Sequence, residues 1–306
     1  MSDQPLVSIA LCTYNGAAFL LQQLQTIVRQ TYQNLEIVIV DDASTDNTAN
    51  IIRQVAAQER RVRFFQNESN LGFNKNFEKA VTLCRGEYIA ISDQDDVWEL
   101  NKIEVMLKQW PAGCDFVYSL SEDFSGESPT ARHKKIRTRL YSGSEPQKLY
   151  FESPIHGHAS MFKTSLLAHA LPFPATVFYD WWLSVIASSV GKVGCIPELL
   201  THHRVHPNNS SRDLVRIEKK EVRNEQLRQQ RKQFIEAFLE KPFVKADVRS
   251  FSNHYLSLLQ KKQDDEFSFP FFLFFFKNRN ITFYYKKNRS VLSLLKNSYK
   301  RARTGL

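Results

Sequence analysis

Five aspartates stand directly after two apolar runs of the sequence, and they would lie close together if those runs were neighbouring strands. They are Asp41, Asp42, Asp93, Asp95 and Asp96. Crowded carboxylates repel one another unless a cation or hydrogen-bond donors neutralise them. Mg²⁺ and Mn²⁺ prefer oxygen ligands, usually one or two carboxylates together with substrate phosphates. These residue types therefore predict a divalent cation and a diphosphate at one shared site.

The elements that would position the aspartates can be read from the alternation of short apolar runs with helical periodicity. The predicted strands are Val7–Cys12, Leu35–Val40, Val62–Phe65 and Glu87–Ile91. Strands separated by helices form parallel, doubly wound sheets, which bind ligands at the carboxyl ends of their strands. The same edge would then carry Thr13, Tyr14 and Asn15, which end the first strand.

Composition and charge exclude several classes of protein. The chain has 306 residues, of which 42% are hydrophobic and 24% charged, as in an ordinary globular protein. It contains no uncharged apolar run of about 18 residues, and its first residues do not resemble a secretory signal, so a cytoplasmic protein is expected. Four widely spaced cysteines predict reduced thiols. The glycine-rich phosphate loops of dehydrogenases and P-loop proteins are missing.

Five stretches in order resemble family-two glycosyltransferases of the GT-A fold. They are Val7–Gly16, Ile39–Asp46, Ser92–Trp98, His156–Phe162, and Tyr179–Leu183 taken together with Pro197–Asn209. The form Asp-Gln-Asp-Asp-Val-Trp is similar to the rhamnosyltransferase-like branch, which builds bacterial surface polysaccharides. The resemblance implies an α/β GT-A catalytic domain over residues 1–212, with a Rossmann-like, mostly parallel sheet. A C-terminal helical extension would cover residues 213–306.

The resemblance implies a binding site for a nucleotide-sugar donor such as a UDP- or dTDP-sugar. Tyr14 would pack on the base, and Asp42 would accept a hydrogen bond from the imide N–H of the base. Asp93 would touch the ribose or the water shell of the metal, so it is also counted with the metal residues. Lys75 could contact phosphate or could be a solvated surface lysine. The full donor set is Thr13, Tyr14, Asn15, Asp41, Asp42, Asn70, Lys75, Asn76 and Asp93.

A metal site and a general base are implied in the same way. Asp93 and Asp95 match the family's DxD motif, and Asp95 would ligate Mn²⁺ or Mg²⁺. His206 would be a third ligand or would donate to the diphosphate, although His203 stands where the family more often has an aromatic residue. Asp180 would take the proton of the acceptor hydroxyl, and it could also cap the helix that follows it.

The acceptor side is predicted at Gly157 and His158, with three tryptophans that could stack on sugar rings. An aromatic side chain at a helix start is as often part of the core, so both interpretations stay open for Trp98, Trp181 and Trp182. A basic loop, Arg132–Arg139, could meet a diphosphate of the acceptor or could be solvated.

The whole positive excess lies at the C-terminus. The chain has 41 Lys and Arg against 32 Asp and Glu, and nine of the basic residues, with no acid, fall between Lys277 and Leu306. Seven phenylalanines lie just before them, in Phe267–Phe276. Aromatic and basic residues without acids favour a segment lying on an anionic membrane, with packing onto the protein as the alternative. Nucleic-acid binding is disfavoured, because the rest of the chain is neutral.

These observations together predict a metal-dependent, inverting glycosyltransferase that works at the cytoplasmic face of the membrane. It would move a sugar, with rhamnose as one option, from a nucleotide-diphosphate donor to a lipid-linked or growing surface glycan. A nucleotidyltransferase also uses carboxylates and a metal, but it usually has a glycine-rich basic loop after the first strand. An inactive binding protein is the second alternative, and the intact Asp93-Gln94-Asp95 and Asp180 argue against it.

Overall fold

The structure is a computed structural model that describes residues 4–129, 139–207, 209, 220–262, 264–287 and 290–306. Two predictions fall elsewhere. The basic loop lies outside the described residues except for Arg139, and so does the predicted domain boundary after residue 212.

The N-terminal part contains the four predicted parallel strands with a helix after each of the first three. Its elements are β1 (Val7–Thr13), α1 (Leu20–Val28), β2 (Leu35–Asp41), α2 (Thr48–Gln58), β3 (Val62–Gln66), α3 (Phe73–Leu83) and β4 (Tyr88–Ser92). β1 lies between β2 and β4, and all three pairings of these strands are parallel. Every residue of β1 and β2 is buried, as their nearly continuous apolar sequences predict.

The second half of the sheet is mixed. Its elements are β5 (Val97–Trp98), α4 (Lys102–Lys108), β6 (Phe116–Phe124), β7 (Ser160–Lys163), α5 (Leu167–Ala170), α6 (Tyr179–Val190) and β8 (Val193–Arg204). The strand order is β3-β2-β1-β4-β7-β6-β8-β5. β7 runs antiparallel to β4 and β6, and β5 to β8, whereas β6 and β8 are parallel. The fold is therefore the predicted α/β arrangement with a mostly parallel sheet.

Alternate residues of β1 face two different cores, one on each side of the sheet. Ile9 and Leu11 pack with α1, α2 and α4, through residues such as Leu24. Ala10 and Cys12 pack on the opposite face with α3 and α6. Burying one such aliphatic side chain contributes about 1.5–3 kcal/mol. The sheet is thus held from both sides, which fixes the positions of its strand ends.

Helices make up most of the C-terminal extension. They are α7 (Lys220–Leu239), α8 (Ala246–Gln260), α9 (Phe269–Lys277), α10 (Arg279–Thr282) and α11 (Val291–Thr304). Phe271, Phe274 and Phe275 of α9 are buried in the same core as α6. The phenylalanine run is thus partly buried and partly exposed, because Phe267 and Phe269 are open to solvent. No helix in the described parts of the chain is long and apolar enough to cross a membrane.

Candidate active site

Asp41, at the end of β2, is hydrogen-bonded to the last residues of β1 and β3. It is fully buried, and it accepts hydrogen bonds from Thr13 Oγ1 (2.8 Å), Ser44 N (3.0 Å) and Gln66 Nε2 (3.2 Å). Its oxygens are therefore occupied by the protein itself. The structure places Asp41 and Thr13 behind the predicted donor site as its support.

Asp42 holds the loop that follows β3. Its Oδ1 accepts from Asn67 Nδ2 (2.7 Å) and Leu71 N (2.8 Å), and its Oδ2 accepts from Gly72 N (2.9 Å). Gly72 has φ 81°, in the left-handed region that favours glycine. The Asp42 carboxylate thus fixes the turn through which the chain enters α3.

The other donor residues predicted on this loop have different environments. Asn70 lies at the loop and donates to the Asp42 carbonyl at 3.4 Å. Asn76 is buried and donates to the Val40 carbonyl at 2.9 Å. Lys75 is exposed and forms an ion pair with Glu78 at 2.9 Å. Asn76 is therefore a packing residue, while Asn70 and Lys75 border the cleft edge.

Tyr14 is tied to the aspartate-rich loop by one side chain. Gln94 Oε1 accepts from Tyr14 N at 2.9 Å, and Gln94 Nε2 donates to Tyr14 O at 3.0 Å. A Cβ on Gly16 would lie 2.1 Å from Gln94 Oε1, so a larger residue there would require the Gln94 side chain to move. The Tyr14 ring is 47% exposed and available for stacking. Asn15 joins the loop after β2 by accepting from Thr45 N at 2.8 Å.

The structure brings together the predicted metal ligands Asp95 and His206. Asp95 Oδ2 lies 2.7 Å from His206 Nε2, although 111 residues separate them in the chain. Burial raises the pKa of Asp95, the neighbouring Asp93 carboxylate raises it further, and His206 acts in the opposite direction. Asp93 is 35% exposed at the same edge. A carboxylate pair with an imidazole suits Mn²⁺ or Mg²⁺, so these residues fit a divalent cation.

Asp96 is fully buried directly behind this pair. Its Oδ1 accepts from Arg204 N at 3.2 Å, whereas its Oδ2 has no hydrogen-bond partner among the described residues. Burial and the carboxylates of Asp93 and Asp95 raise the pKa of Asp96 well above its usual range. Asp96 Oδ2 lies 3.5 Å from His158 Nδ1. A buried carboxylate oxygen without a hydrogen bond, beside two other carboxylates, is an arrangement that a cation would stabilise.

Three imidazoles stack beside these carboxylates. The ring centroid of His158 lies 5.4 Å from that of His156 and 4.8 Å from that of His203. Burial and the two neighbouring histidines hold the pKa of His158 well below its usual range, so it is neutral at pH 7. Asp96, His158 and His203 offer ligand atoms within 4.8 Å of one another, which makes them a second possible group of metal ligands.

A buried lysine, Lys102, was not identified from the sequence. Its Nζ donates to the His158 carbonyl (2.7 Å) and to Thr201 Oγ1 (2.9 Å), and it lies 3.5 Å from the centroid of the Trp98 ring. Burial lowers its pKa well below the usual value, while Asp96 and Asp93 oppose that shift. The sequence did contain one sign that Lys102 is buried: its spacing places it on the same helical face as the apolar Ile103 and Met106.

Asp180 lies at the first turn of α6 and faces the acceptor segment. Its Oδ1 accepts from Trp181 N at 2.7 Å and its Oδ2 from Gly157 N at 3.1 Å. Burial raises the pKa of Asp180, with His156 acting in the opposite direction. A Cβ on Gly157 would lie 2.3 Å from the Tyr179 hydroxyl, so a glycine is needed there. Phe178 is the N-cap residue of α6, so Asp180 does not cap the helix but binds a first-turn N–H and lies near His156 of the imidazole stack.

Two of the three tryptophans are buried in the core, and the third is partly buried. Trp98 and Trp182 are 2% and 1% exposed, so stacking on a sugar ring is excluded for both. Trp182 Nε1 donates to the Ala170 carbonyl at 2.7 Å. Trp181 stacks on Phe234 of α7 with 3.8 Å between ring centroids, and its Nε1 donates to the Leu149 carbonyl. Core packing therefore holds for Trp98 and Trp182, while Trp181 is anchored by its ring contact and its N–H bond.

Comparisons with known proteins give the fold and the family. The profile of "Glycosyl transferase family 2" matches residues 8–170, more than half of the 306 residues. An Escherichia coli K12 protein, WcaA, named for colanic acid biosynthesis as a glycosyl transferase, is 33% identical over 156 residues, 50% of this chain and 52% of its own.

Two solved structures share the architecture at low sequence identity. Staphylococcus aureus TarS in complex with UDP-GlcNAc has a TM-score of 0.59 and 15% identity, covering 98% of this chain and 82% of TarS. A Pyrobaculum calidifontis mannosyltransferase in complex with GDP-Man and Mn²⁺ has a TM-score of 0.55 and 19% identity, covering 85% of this chain and 74% of its own. The fold is that of GT-A glycosyltransferases, and the chain belongs to glycosyl transferase family 2.

Proposed function

We propose that this protein is an inverting, metal-dependent glycosyltransferase that transfers a sugar from a nucleotide-diphosphate donor to a polysaccharide acceptor. The observation that carries the proposal is the 2.7 Å contact between Asp95 and His206 after the end of β4, with the Asp93 carboxylate near enough to raise the pKa of Asp95. TarS and the mannosyltransferase were solved with nucleotide sugars, and the latter also with Mn²⁺. The name of WcaA supports a polysaccharide product.

The donor would bind along the edge formed by the loops after β1, β3 and β4. Tyr14 is exposed for stacking on the base, and Asp42 positions the loop that would close over it. Asp95 and His206 would hold the cation, which would neutralise charge on the leaving diphosphate. UDP and dTDP are the proposed nucleotides, and rhamnose is a proposed sugar because the aspartate-rich motif resembles that branch.

Asp180 is the proposed general base. In an inverting reaction the acceptor hydroxyl attacks the face of the sugar opposite the leaving group, and one carboxylate takes its proton. A raised pKa makes the Asp180 carboxylate a stronger proton acceptor than a solvated aspartate. Gly157 N–H holds one oxygen of that carboxylate, and His158 lies one residue further along.

The acceptor is proposed to be a lipid-linked or growing glycan at the inner face of the membrane. The support is a set of exposed apolar side chains on the C-terminal extension. They are Phe267, Phe269, Leu273, Val291, Leu292 and Tyr299. Exposed aromatic and leucine side chains beside basic residues are typical of surfaces that lie in a lipid interface. We also propose that the catalytic domain ends near residue 212 and that the helical extension carrying these side chains follows it.

The test is sugar release and transfer from a panel of UDP-, dTDP- and GDP-sugars with and without Mn²⁺. At least one donor should be used in a metal-dependent way, and an inverting enzyme should give a product of opposite anomeric configuration by NMR. Asp95→Asn should lose this activity. Retention of configuration would reject the inverting mechanism, and activity that is equal in EDTA would reject the metal.

A further inference from the structure

A second cavity lies in the C-terminal extension, between α7, α11 and the segment around Phe151. Its volume is about 570 Å³, which is in the range of small-molecule sites. It shares no residue with the carboxylate site described above. The proposed transfer reaction therefore leaves it without a role.

The side chains that line this cavity are strongly cationic. Seven lysines and arginines line it, together with two acidic side chains, Glu152 and Asp265, and the last residue of the chain, Leu306. Asp265 is already paired with Arg228, at 2.7 Å, and Glu152 lies 3.7 Å from Arg301. Positive charge in a concave, low-dielectric site concentrates anions. The cavity is therefore electrostatically suited to an anion.

Most of the cations have no carboxylate partner. In the described part of the chain, no carboxylate lies within 4.0 Å of Lys220, Arg223, Arg231 or Lys300. Cations gathered without counter-charges repel one another, which destabilises the folded protein. A bound anion would remove that repulsion.

Arg231 contributes a guanidinium to the cavity wall, where it interacts with the Tyr255 side chain. Its Nε and Nη1 are inaccessible to solvent and have no hydrogen-bond partner among the described residues. The guanidinium carbon lies 5.2 Å from the centroid of the Phe151 ring, which fixes its place on the cavity wall. A buried donor without a partner costs about 1–3 kcal/mol, and more when the group is charged. The planar fork of a guanidinium matches the oxygens of a phosphate.

We propose that this cavity binds a phosphate or diphosphate ester through Arg231 and Lys300. The ester could belong to a lipid headgroup or to a soluble metabolite, since both present the same phosphoryl oxygens. Its recognition by these cations requires no metal and no sugar transfer. The inference therefore stands or falls separately from the proposed reaction.

The test is isothermal titration calorimetry of the full chain with inorganic pyrophosphate in EDTA, which removes any cation from the carboxylate site. A second arm measures co-sedimentation with phosphatidylcholine vesicles that contain or lack phosphatidic acid. Binding to pyrophosphate supports a soluble ester, and binding only to phosphatidic acid vesicles supports a lipid headgroup.

Matched variants locate the binding. Lys300→Ala should weaken it at least about tenfold, because one charge-assisted hydrogen bond is lost. Lys296→Ala is the control, since Lys296 is exposed on the same helix, one turn earlier, and is not part of the cavity wall. Arg231→Gln and its neighbour Lys232→Gln form a second pair, with thermal unfolding measured for each. No binding in either arm, or equal losses in Lys300→Ala and Lys296→Ala, would overturn the proposal.

Discussion

At the scale of single residues, the aspartates divide into two kinds that the sequence does not distinguish. Asp41 and Asp42 accept from the protein's own donors, so they hold loops in place. Asp93, Asp95 and Asp96 face one another and the histidines, and burial raises the pKa of each. The two kinds differ in how many hydrogen-bond donors the neighbouring loops bring to each carboxylate. The positions of those donors are set by the folded structure and cannot be read from the sequence.

Asp180→Asn should lower kcat by about 100-fold or more, because the acceptor proton loses its carboxylate base. Asp247→Asn is the matched control: Asp247 is the second residue of α8, as Asp180 is of α6, and so it reproduces the effect on the helix end alone. Transfer rates at saturating donor measure the difference. Unchanged kcat in Asp180→Asn would reject the base.

The pH profile of transfer should follow the raised pKa of Asp180. The base is active as a carboxylate, so the rate should fall as the pH falls through its pKa in the folded protein. Since that pKa is raised, the loss should occur at a higher pH than for a solvated aspartate. Single-turnover rates across the acidic range check this, and an acid limb below the usual aspartate pKa would contradict it.

There are two possible sets of metal ligands, and substitution of their histidines should distinguish them. If Asp95 and His206 hold the cation, His206→Ala should abolish the rise in Tm that Mn²⁺ gives, whereas His203→Ala should retain it. Saturation at 100 times the Kd stabilises a protein by about 2.7 kcal/mol, which thermal unfolding detects easily. The reverse pattern would assign the cation to Asp96, His158 and His203.

At the scale of elements, the apolar runs predicted β1 to β4 within one or two residues at each end. The antiparallel β7 was not identified because it has only four residues, and the long β8 because it is partly exposed and contains polar stretches such as Thr201-His202-His203. The imidazole stack could not be predicted either. His158 and His203 are far apart in the chain and meet only because β8 pairs with β6 beside β7.

The contact between α6 and α7 should be important for stability. Trp181 stacks on Phe234, which is fully buried, so Phe234→Ala should cost about 3–5 kcal/mol. Val222→Ala, an exposed position of the same helix, should change stability by less than about 0.5 kcal/mol. Urea unfolding compares the two variants. Equal stabilities would show that α7 is not needed to hold α6.

At the scale of the whole molecule, the C-terminal segment that carries the excess positive charge is packed against the rest of the protein. Four of the nine basic C-terminal residues lie on α11, which packs against α9 and thus against the main core. Truncation before residue 267 would expose Phe271, Phe274 and Phe275, so membrane binding has to be tested by surface substitutions.

Phe269→Ser with Leu292→Ser should reduce co-sedimentation with anionic vesicles severalfold and leave Tm nearly unchanged, because both side chains are exposed, at 59% and 80%. Leu21→Ser, on the opposite end of the chain and also exposed, is the control. Equal vesicle binding by all three proteins would contradict an apolar membrane contact.

The paired amide bonds of Gln94 with Tyr14 have a thermodynamic consequence. They join the loop after β1 and the loop after β4 into one unit, because a shift of either loop would break these two hydrogen bonds. Ordering one loop therefore orders the other. A ligand that contacts both should bind more tightly than the sum of its two halves, since the entropy of fixing the unit is lost only once.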